Sequence, residues 1–352
     1  MPSPPAVLPA AATRLRRTLL DWYDGAKRTL PWRAGPGVAA DPWAVLVSEI
    51  MLQQTTVATV QARFGPFLAR FPTPAAMAEA GLDDVLHAWQ GLGYYRRARG
   101  LHACARAIVR DHAGRVPGEP VALAALPGIG PYTAAAVAAI AFGRQVVAVD
   151  GNVARVLARL TAHDRPLSAT KAELWPLAAD LAGGTRPGDL AQALMELGAL
   201  VCMPRQPACA TCPWAFACRA HAEGRAAALP VKSAKRPRPE RRAVAMLIRD
   251  DCGRLCLRRR PEEGLLGGLI ELPAVAPEAL PPGEWQALAG TVRHVFTHFS
   301  LEVTIVTGRP AGALGDTFFH PPSRLHELAL PTLTRKLLRH AGVEAPLTDQ
   351  SG

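Results

Sequence analysis

Hydrophobic side chains recur at steps of three and four residues through the first two thirds of the chain. Clear examples are WAVLVSEIMLQQTTVATV and DLAQALMELGALV, in which one helical face would be apolar. Proline and glycine separate such segments, as expected between consecutive helices. Residues 13–226 are therefore predicted to form an α-helical domain.

This pattern changes after the stretch PVKSAKRPRPERR, which carries six basic residues and three prolines and offers little to bury. Residues 227–242 are therefore predicted to be a basic linker. Beyond it, AVAMLIRD, RLCLRRR and LEVTIVTG predict strands, and LPTLTRKLLRHAG predicts a closing helix. Residues 243–343 are expected to form a smaller α+β domain, with a disordered tail at residues 1–12 and a second tail at residues 344–352.

Length and charge agree with two domains and a polyanionic partner. The chain has 352 residues, and 40 Lys and Arg against 29 Asp and Glu give a net charge of +11, which favours nucleic acid over an acidic membrane surface. No apolar run reaches the roughly 18 residues that a membrane span needs, and the charge order at the start is wrong for a secretory signal. We therefore expect a bacterial cytoplasmic protein, associated with the nucleoid and without a membrane partner.

Four of the seven cysteines are crowded into one short segment with the spacing C-x6-C-x2-C-x5-C. Four thiolates in one loop suit either a structural zinc ion or an iron–sulfur cluster, although zinc usually takes two C-x2-C pairs and only one is present. Cys104, Cys252 and Cys256 stand apart and are expected to be ordinary buried thiols. The predicted metal ligands are Cys202, Cys209, Cys212 and Cys218.

The cysteine spacing resembles that of the endonuclease III family of DNA glycosylases, in which it holds a 4Fe–4S cluster. LPGIG, residues 126–130, is similar to the helix–hairpin–helix of that family, and Gly128 and Gly130 would let backbone N–H groups approach a DNA phosphate. The resemblance implies an all-α helix–hairpin–helix glycosylase domain. Its parts would be a six-helix barrel at about 34–144 and an iron–sulfur cluster subdomain at 13–33 and 145–226.

Tyr132 stands just beyond this hairpin, where bifunctional members of the family carry a lysine. The lysine amine attacks the sugar C1′ and forms a Schiff base, which leads to strand cleavage. A tyrosine has no amine and cannot form that intermediate. We therefore expect a monofunctional enzyme that removes a base without an efficient lyase step.

Two acidic residues stand in contexts suited to acid chemistry. Glu49 lies in VSEIMLQQT on an otherwise apolar helix, where burial would raise its pKa and make it a general acid. Asp150 lies in VVAVDGNVARV at a predicted helix start, where it could cap the helix and point into a cleft. Asn152, two residues on, could fix the geometry of this pocket.

The Glu49 segment, together with TLPWR and GLGYYRRAR, resembles the MutY-type adenine DNA glycosylases. That resemblance implies that Glu49 protonates N7 of a flipped adenine and that Asp150 stabilises the oxocarbenium-like sugar. It also implies further substrate contacts: the adenine pocket (Trp32, Arg33, Gln192) and the duplex (Gln54, Leu92, Tyr94). The chain departs from the usual spacing of that family by an insertion of about four residues between Trp32 and Glu49.

Residues 243–343 resemble the Nudix-like C-terminal domain of the MutY-type enzymes, through GLLGGLIELP. The R-E-x-x-E-E helix that binds magnesium in Nudix hydrolases is missing, so recognition without hydrolysis is expected. RHVFTHFSL resembles the loop that inspects 8-oxoguanine, with Phe296, Thr297 and His298 at its usual Phe-Ser-His core. Threonine keeps the hydroxyl and adds a methyl group.

Together these motifs predict a monomeric base-excision enzyme that hydrolyses the glycosidic bond of adenine mispaired with 8-oxoguanine or guanine in double-stranded DNA. Three alternatives remain: an endonuclease III-like glycosylase with lyase activity, a non-catalytic iron–sulfur DNA-binding protein, and a zinc-containing, sequence-specific regulator. Tyr132 argues against the first, because a phenol is no amine nucleophile. Glu49 and Asp150 argue against a pure DNA-binding protein, which gains nothing from buried acids near phosphates.

Overall fold

The computed structural model describes residues 9–35, 38–167, 171–231 and 237–343. Their contacts form two compact units. The helical unit contains the described residues through Glu79 and those from Gly100 to residue 231. The sheet-containing unit contains Ala80–Arg99 and the described residues from 237 onward. Residues 1–8, 232–236 and 344–352, which belong to the predicted tails and linker, lie outside the described residues; the predicted domain limits stay a prediction.

Residues of the first two thirds of the chain fold into helices, as their hydrophobic spacing predicts. The helices are α1 (Pro9–Ala26), α2 (Pro42–Leu52), α3 (Val57–Arg70), α4 (Pro74–Glu79), α5 (Leu82–Ala88), α6 (Arg96–His112), α7 (Pro120–Ala124), α8 (Pro131–Phe142), α9 (Gly151–Leu160), α10 (Leu174–Leu181), α11 (Pro187–Leu200) and α12 (Arg219–Ala222). Within the described part of the chain, no helix is long and apolar enough to cross a membrane.

The first helix begins earlier than expected. Helix α1 starts at Pro9, so the predicted disordered tail is wrong for residues 9–12. Proline is tolerated in a first helical turn, where its missing N–H has no helical partner. Ala12, Leu15 and Leu19 continue the three- and four-residue spacing, and each is at most 3% exposed, so burial extends the helix toward the N-terminus.

Small side chains bring the central helices of this unit close together. Helix α8, PYTAAAVAAIAF, packs against α2 and α11, and five of its six alanines are buried. Helix α11 in turn packs against α1 and α9. At Gly198 on α11 a Cβ would lie only 2.6 Å from the Cβ of Asn152, so glycine permits this approach. This close packing brings the middle of α2 next to the starts of α8 and α9.

The second unit contains the strands predicted from alternating and β-branched runs. They are β1 (Glu240–Leu247), β2 (Leu255–Arg259), β3 (Ile270–Glu271), β4 (Ala274–Val275), β5 (Gly283–Ala287), β6 (Val292–Val295), β7 (Ser300–Pro310) and β8 (Thr317–His320). One sheet has the order β4-β1-β7-β5, with β6 also on β7, and the other has the order β3-β2-β8. Strands β1 and β7 are parallel, and the closing helix α13 (Thr332–His340) contributes Leu333, Leu337 and Leu338 to the core.

One expectation about the isolated cysteines is wrong. Cys104 and Cys256 are buried, but Cys252 is exposed. Cys252 lies in the turn between β1 and β2, where its backbone N–H donates to Oδ1 of Asp250. A tight turn on the surface leaves its side chain no core to enter.

Candidate active site

A cavity of about 760 Å³ opens in the helical unit and is lined from five separated stretches of sequence. Its polar lining includes Glu49 of α2, Tyr132 at the start of α8 and Asp150 just before α9. The fold thus brings together residues that are far apart in the sequence. Other predicted site residues that line it are Trp32, Arg33, Gln54, Gly128, Gly130, Asn152 and Gln192.

Glu49 is the buried acid of this cavity. Its side chain is 5% exposed, and Oε2 accepts a hydrogen bond of 2.7 Å from the Tyr132 hydroxyl. Burial raises the pKa of Glu49 to about 7, and the negative charge of Asp150 acts in the same direction. The Tyr132 hydrogen bond and the charge of Arg33 oppose this rise. A large fraction of Glu49 therefore carries a proton near neutral pH, which suits a general acid.

Tyr132 is held as a donor by its surroundings. Burial, together with the nearby carboxylates of Glu49 and Asp150, raises the pKa of Tyr132 well above its ordinary value. The phenol therefore keeps its proton and can donate to Glu49. The Sδ atom of Met195 lies 3.9 Å from the same hydroxyl.

Asp150 both caps a helix and faces the cavity. Its Oδ1 accepts from the backbone N–H of Val153 at 2.6 Å, the side-chain capping pattern of a helix start. Its Oδ2 accepts from Nδ2 of Asn152 at 3.0 Å. Asn152 is fixed in turn because its Oδ1 accepts from Arg155 at 2.8 Å, and Arg155 also donates to the backbone carbonyls of Gly198 and Cys202. The helix-capping role and the position in the cleft that the sequence suggested for Asp150 are therefore compatible.

Arg28 and Glu196 also line the cavity, and the sequence analysis did not identify them. The Glu196 carboxylate, 1% exposed, forms ion pairs of 2.8 Å with both Arg28 and Arg33. Burial raises the pKa of Glu196, but the hydrogen bonds from the two arginines outweigh it and lower this pKa to about 2. One signal was available: Glu196 follows Gln192 by four residues, so both lie on the same face of α11.

Among the other predicted substrate contacts of this unit, Trp32 and Gln192 have ordinary packing partners. The Trp32 ring meets Phe64 edge-on, with centroids 5.6 Å apart. Nε2 of Gln192 donates to the carbonyl of Gly188, one turn earlier in α11. Gln54 has a φ of 59°, a left-handed conformation that costs a non-glycine residue energy and is concentrated at functional sites.

The hairpin between α7 and α8 has the backbone shape of a phosphate-binding turn. Gly128 has a φ of 75°, and a Cβ there would lie 3.1 Å from the Cα of Gly100. Gly130 is the N-cap of α8 and brings no side-chain cap, so the first N–H groups of that helix are open to an external acceptor. Glycine is therefore required by backbone geometry at Gly128, whereas Gly130 has an extended backbone and open space around a Cβ, so it fits the motif without a steric requirement.

The four clustered cysteines surround one small pocket behind α9 and α11. Cys202, Cys209, Cys212 and Cys218 all line it, and each described cysteine is free of disulfides. Arg159, 1% exposed, donates to the Sγ of Cys202 at 3.2 Å and to the carbonyl of Met203 at 2.8 Å. Among the described residues, no three Cys, His, Asp or Glu side chains converge on a single-ion site. Four thiols that line one pocket are the donor set of an iron–sulfur cluster, in which each thiolate binds a different iron atom.

The other predicted contacts lie in the second unit. Tyr94 is 50% exposed with a φ of 46°, and its hydroxyl lies 3.0 Å from Oγ1 of Thr297. Leu92 is 3% exposed, so its side chain is packed in the protein interior and is not on the surface where DNA could contact it. The Phe296 ring packs against His294 and Phe299, whereas Thr297 and His298 are exposed.

The loop that carries Tyr94 is braced by a half-buried arginine, Arg97. Arg97 donates to the carbonyls of Leu92 and Gly93 at 2.8 and 3.1 Å, and its guanidinium lies over the rings of Trp89 and Tyr94. The Trp89 indole N–H donates to the same Gly93 carbonyl at 3.0 Å. These contacts hold the loop in a conformation that is costly for Tyr94 itself.

Two family profiles match the two parts of the chain. Residues 47–178 match the HhH-GPD superfamily of base excision DNA repair proteins, and residues 243–340 match the NUDIX domain. A thermostable thymine-DNA glycosylase is similar in structure, with a TM-score of 0.54 and 30% identity over 60% of this chain and 97% of that chain. Endonuclease III in a trapped covalent DNA intermediate shares the fold, with a TM-score of 0.50 and 22% identity over 62% and 99%.

Relatives with an assigned activity match most of the chain. The rat adenine DNA glycosylase is 37% identical over 83% of this chain and 70% of its own length. The human adenine DNA glycosylase is 35% identical over 94% and 74%, and that of Mycolicibacterium smegmatis is 47% identical over 55% and 66%. The buried acid, the hairpin and the Nudix-like unit thus occur together in a chain that belongs to the adenine DNA glycosylase family of base excision repair enzymes.

Proposed function

We propose that this glycosylase hydrolyses the bond between adenine and deoxyribose where adenine is mispaired with 8-oxoguanine or guanine, and leaves the strand intact. The observation that carries the proposal is the Tyr132–Glu49 hydrogen bond inside the cavity, which pairs a protonatable buried acid with a phenol. A phenol at that position supports simple hydrolysis, because only an amine can form the Schiff base of the lyase reaction.

In the first step, Glu49 gives its proton to N7 of an adenine that has left the stack. Protonation turns the base into a neutral leaving group, so the glycosidic bond can break without a free adenine anion. The Tyr132 hydroxyl orients the carboxyl group through Oε2. Once ionised, Glu49 is placed to take a proton from the attacking water.

In the second step, Asp150 faces the positive charge that develops on the sugar. A carboxylate near the anomeric carbon stabilises such a cation directly or through a transient covalent bond, as in glycoside hydrolysis. The donors Val153 N–H and Asn152 Nδ2 hold this carboxylate in place. Two carboxyl groups in unlike surroundings thus take unlike roles.

Base extrusion needs a hold on the DNA backbone. The turn at Gly128 and Gly130 supplies backbone N–H groups without side-chain obstruction, and this contact is independent of sequence. Gln54 and Tyr94 are the proposed intruders into the duplex, and both have left-handed backbone conformations. Extrusion costs a few kcal/mol, which contacts in the cavity offset.

We assign the pocket behind α9 and α11 to a 4Fe–4S cluster held by Cys202, Cys209, Cys212 and Cys218. The donor set fits, because four thiols line one pocket and none forms a disulfide. A bound cluster supplies strong iron–thiolate bonds that cross-link the loop. The chain itself contributes Arg159, which donates to a cysteine sulfur, and Arg155, which links the Cys202 carbonyl to Asn152.

Recognition of the opposing base is assigned to Tyr94 and Thr297, whose hydroxyls are 3.0 Å apart in the second unit. Phe296 and His298 complete this loop. The loss of the R-E-x-x-E-E motif supports recognition without nucleotide hydrolysis in this unit. We further propose a monomer in a bacterial cytoplasm, as the sequence predicts.

A single-turnover assay on short duplexes tests the proposal. Adenine is placed opposite 8-oxoguanine, guanine or thymine, and product is measured before and after alkali. We expect cleavage only after alkali, fastest opposite 8-oxoguanine. Strand breaks without alkali would overturn the monofunctional assignment, and equal rates opposite thymine would overturn the assigned mispair.

A further inference from the structure

Glu196 is the most fully satisfied carboxylate of the cavity wall. It accepts from Arg28 through the backbone N–H at 2.9 Å, and through Nε and NH2 at 2.8 Å each. It also accepts from Arg33 through NH2 at 2.8 Å and NH1 at 3.3 Å. Five donors converge on a side chain that is 1% exposed. Such a cluster fixes both guanidinium groups, because the loss of either arginine removes part of the charge that compensates the buried carboxylate.

We propose that Glu196 is a positioning residue that holds Arg28 and Arg33 in the base pocket and neutralises their charge, so that Glu49 keeps the proton it delivers. This inference rests on the proposed role of Glu49 as the acid. In this proposal Glu196 does not contact the reacting atoms. It affects the protonation of Glu49 only through Arg33.

The charged groups that face Glu49 explain why the positive charge of Arg33 must be neutralised. Tyr132 of α8 donates to it, Asp150 at the start of α9 repels its ionised form, and Arg33 before α2 attracts that form. Arg33 therefore works against proton retention. With Glu196 ionised beside it, the arginine belongs to a paired cluster, and its field at Glu49 is reduced.

The same pairing controls where Arg33 lies. Its NH1 also donates to the carbonyl of Arg28 at 2.9 Å, and its guanidinium lies 5.6 Å from the ring centre of Tyr23. Helix α11 and the residues that follow α1 form one wall of the cavity. The contacts with Glu196, Arg28 and Tyr23 hold the Arg33 guanidinium against that wall. Without the carboxylate, Arg33 would be free to turn toward Glu49, the other buried carboxyl of the cavity.

The test compares Glu196→Gln with wild type by single-turnover adenine release across a range of pH. Glu173→Gln is the matched control, because Glu173 forms an exposed ion pair with Arg165 and does not line the cavity. We expect the midpoint at which the rate falls with rising pH to move down by roughly one unit in Glu196→Gln, since a nearby opposite charge lowers a carboxyl pKa by about 1–3 units. With a midpoint moved from about 7 to about 6, the protonated fraction at pH 7 and the rate should fall about fivefold. The rate should recover partly in acid, while the control keeps the wild-type profile.

A rate loss that is equal at every pH, with an unmoved midpoint, would show a merely structural role and overturn the inference. The variant Arg33→Met is an independent arm if Glu196→Gln folds poorly. Removing this cation should move the midpoint upward, and an unmoved or lowered midpoint again contradicts the inference.

A titration of Glu49 by carboxyl ¹³C NMR in the full-length protein without DNA separates the two proposals. The Glu49 resonance is assigned by its loss in Glu49→Gln. A lower midpoint in Glu196→Gln supports the inference even if no duplex releases adenine, in which case the proposed function alone fails. If Glu196→Gln releases adenine normally and its Glu49 titration is unshifted, the proposed function is supported and the proposed role of Glu196 is contradicted.

Discussion

The hydroxyl of Tyr132 donates a 2.7 Å hydrogen bond to Oε2 of Glu49, across 83 positions of sequence. The tyrosine serves here as a hydrogen-bond donor to the buried acid. The bond lowers the pKa of Glu49, but burial dominates and the pKa stays raised, at about 7. The contact therefore supports the proposed hydrolysis without a lyase step, and burial supports a Glu49 that keeps its proton near neutral pH.

This contact predicts the pH dependence of adenine release. Glu49 must be protonated to act, so the rate is expected to be full below about pH 7 and to fall as the pH rises through that value. In Tyr132→Phe the hydrogen bond that lowers the pKa is lost, so the midpoint should move to higher pH, while the maximal rate falls because the acid is less well oriented. Single-turnover rates on both sides of neutrality measure both effects. A midpoint that moves down in Tyr132→Phe contradicts the assignment.

The same raised pKa affects stability. A folded-state pKa of about 7 exceeds the ordinary value of 4.5, so the contribution of Glu49 to stability is complete below pH 4.5 and is lost as the pH rises through 7. Glu49→Gln should therefore become more stable relative to wild type as the pH increases from acid to alkaline values. Urea unfolding at several pH values checks the sign, and a constant difference would argue against a buried, neutral Glu49.

Glu49→Gln should remove adenine release and preserve DNA binding. General acid catalysis contributes about 10²–10⁴-fold, so the single-turnover rate should fall by at least a hundredfold. The affinity for a mispaired duplex, measured by fluorescence anisotropy, should change little. Glu173→Gln, outside the cavity, is the control and should keep the wild-type rate. Substantial activity in Glu49→Gln would move the acid to another residue.

Asp150→Asn distinguishes the helix cap from the chemistry. Asparagine and aspartate cap helices about equally well, so the melting temperature should change by no more than a few degrees. An amide carries no negative charge and cannot stabilise the positive charge that develops on the sugar. The loss of one such electrostatic contact typically costs about a hundredfold or more, so the single-turnover rate should fall by more than a hundredfold. Thermal unfolding and adenine release are measured on the same preparation. Retained activity would leave Asp150 with only its capping role.

Cys212→Ala should disrupt the proposed cluster. We expect loss of bound iron and of visible absorption, together with lower thermal stability, because the loop then lacks one of its four ligands. Cys252→Ala is the matched control, since this cysteine is exposed in a turn of the second unit. Iron analysis of both proteins, purified without oxygen, provides the measurement. Full iron content in Cys212→Ala would contradict the assigned ligand set.

The Tyr94–Thr297 contact predicts a change in selectivity for the opposing base. Tyr94→Phe removes one hydroxyl of the pair, and a hydrogen bond is worth about 1 kcal/mol, or several-fold in rate. The preference for 8-oxoguanine over guanine should fall by that factor. Thr297→Ser keeps the hydroxyl and should keep the preference. An unchanged preference in Tyr94→Phe would separate this contact from recognition.

Local chemistry made much of the fold predictable. The three- and four-residue spacing marked the helical unit, and the β-branched runs after PVKSAKRPRPERR marked the strands of the second unit. The start of α1 was missed, because the prolines near the N-terminus suggested disorder while the burial of Ala12 and Leu15 favours helix. The hairpin glycines and the clustered cysteines were identified because both depend on short-range spacing.

The sequence by itself determined the kinds of groups available, namely a phenol just beyond the hairpin, two acids in unlike contexts and four thiols within 17 residues. The tertiary structure alone decided that Glu49 is buried against Tyr132 and that Glu196 binds both Arg28 and Arg33. The physical reason is that desolvation and ion pairing depend on neighbours from distant segments, which a local pattern does not encode. Residue types follow from the chain, but their charge states follow from packing.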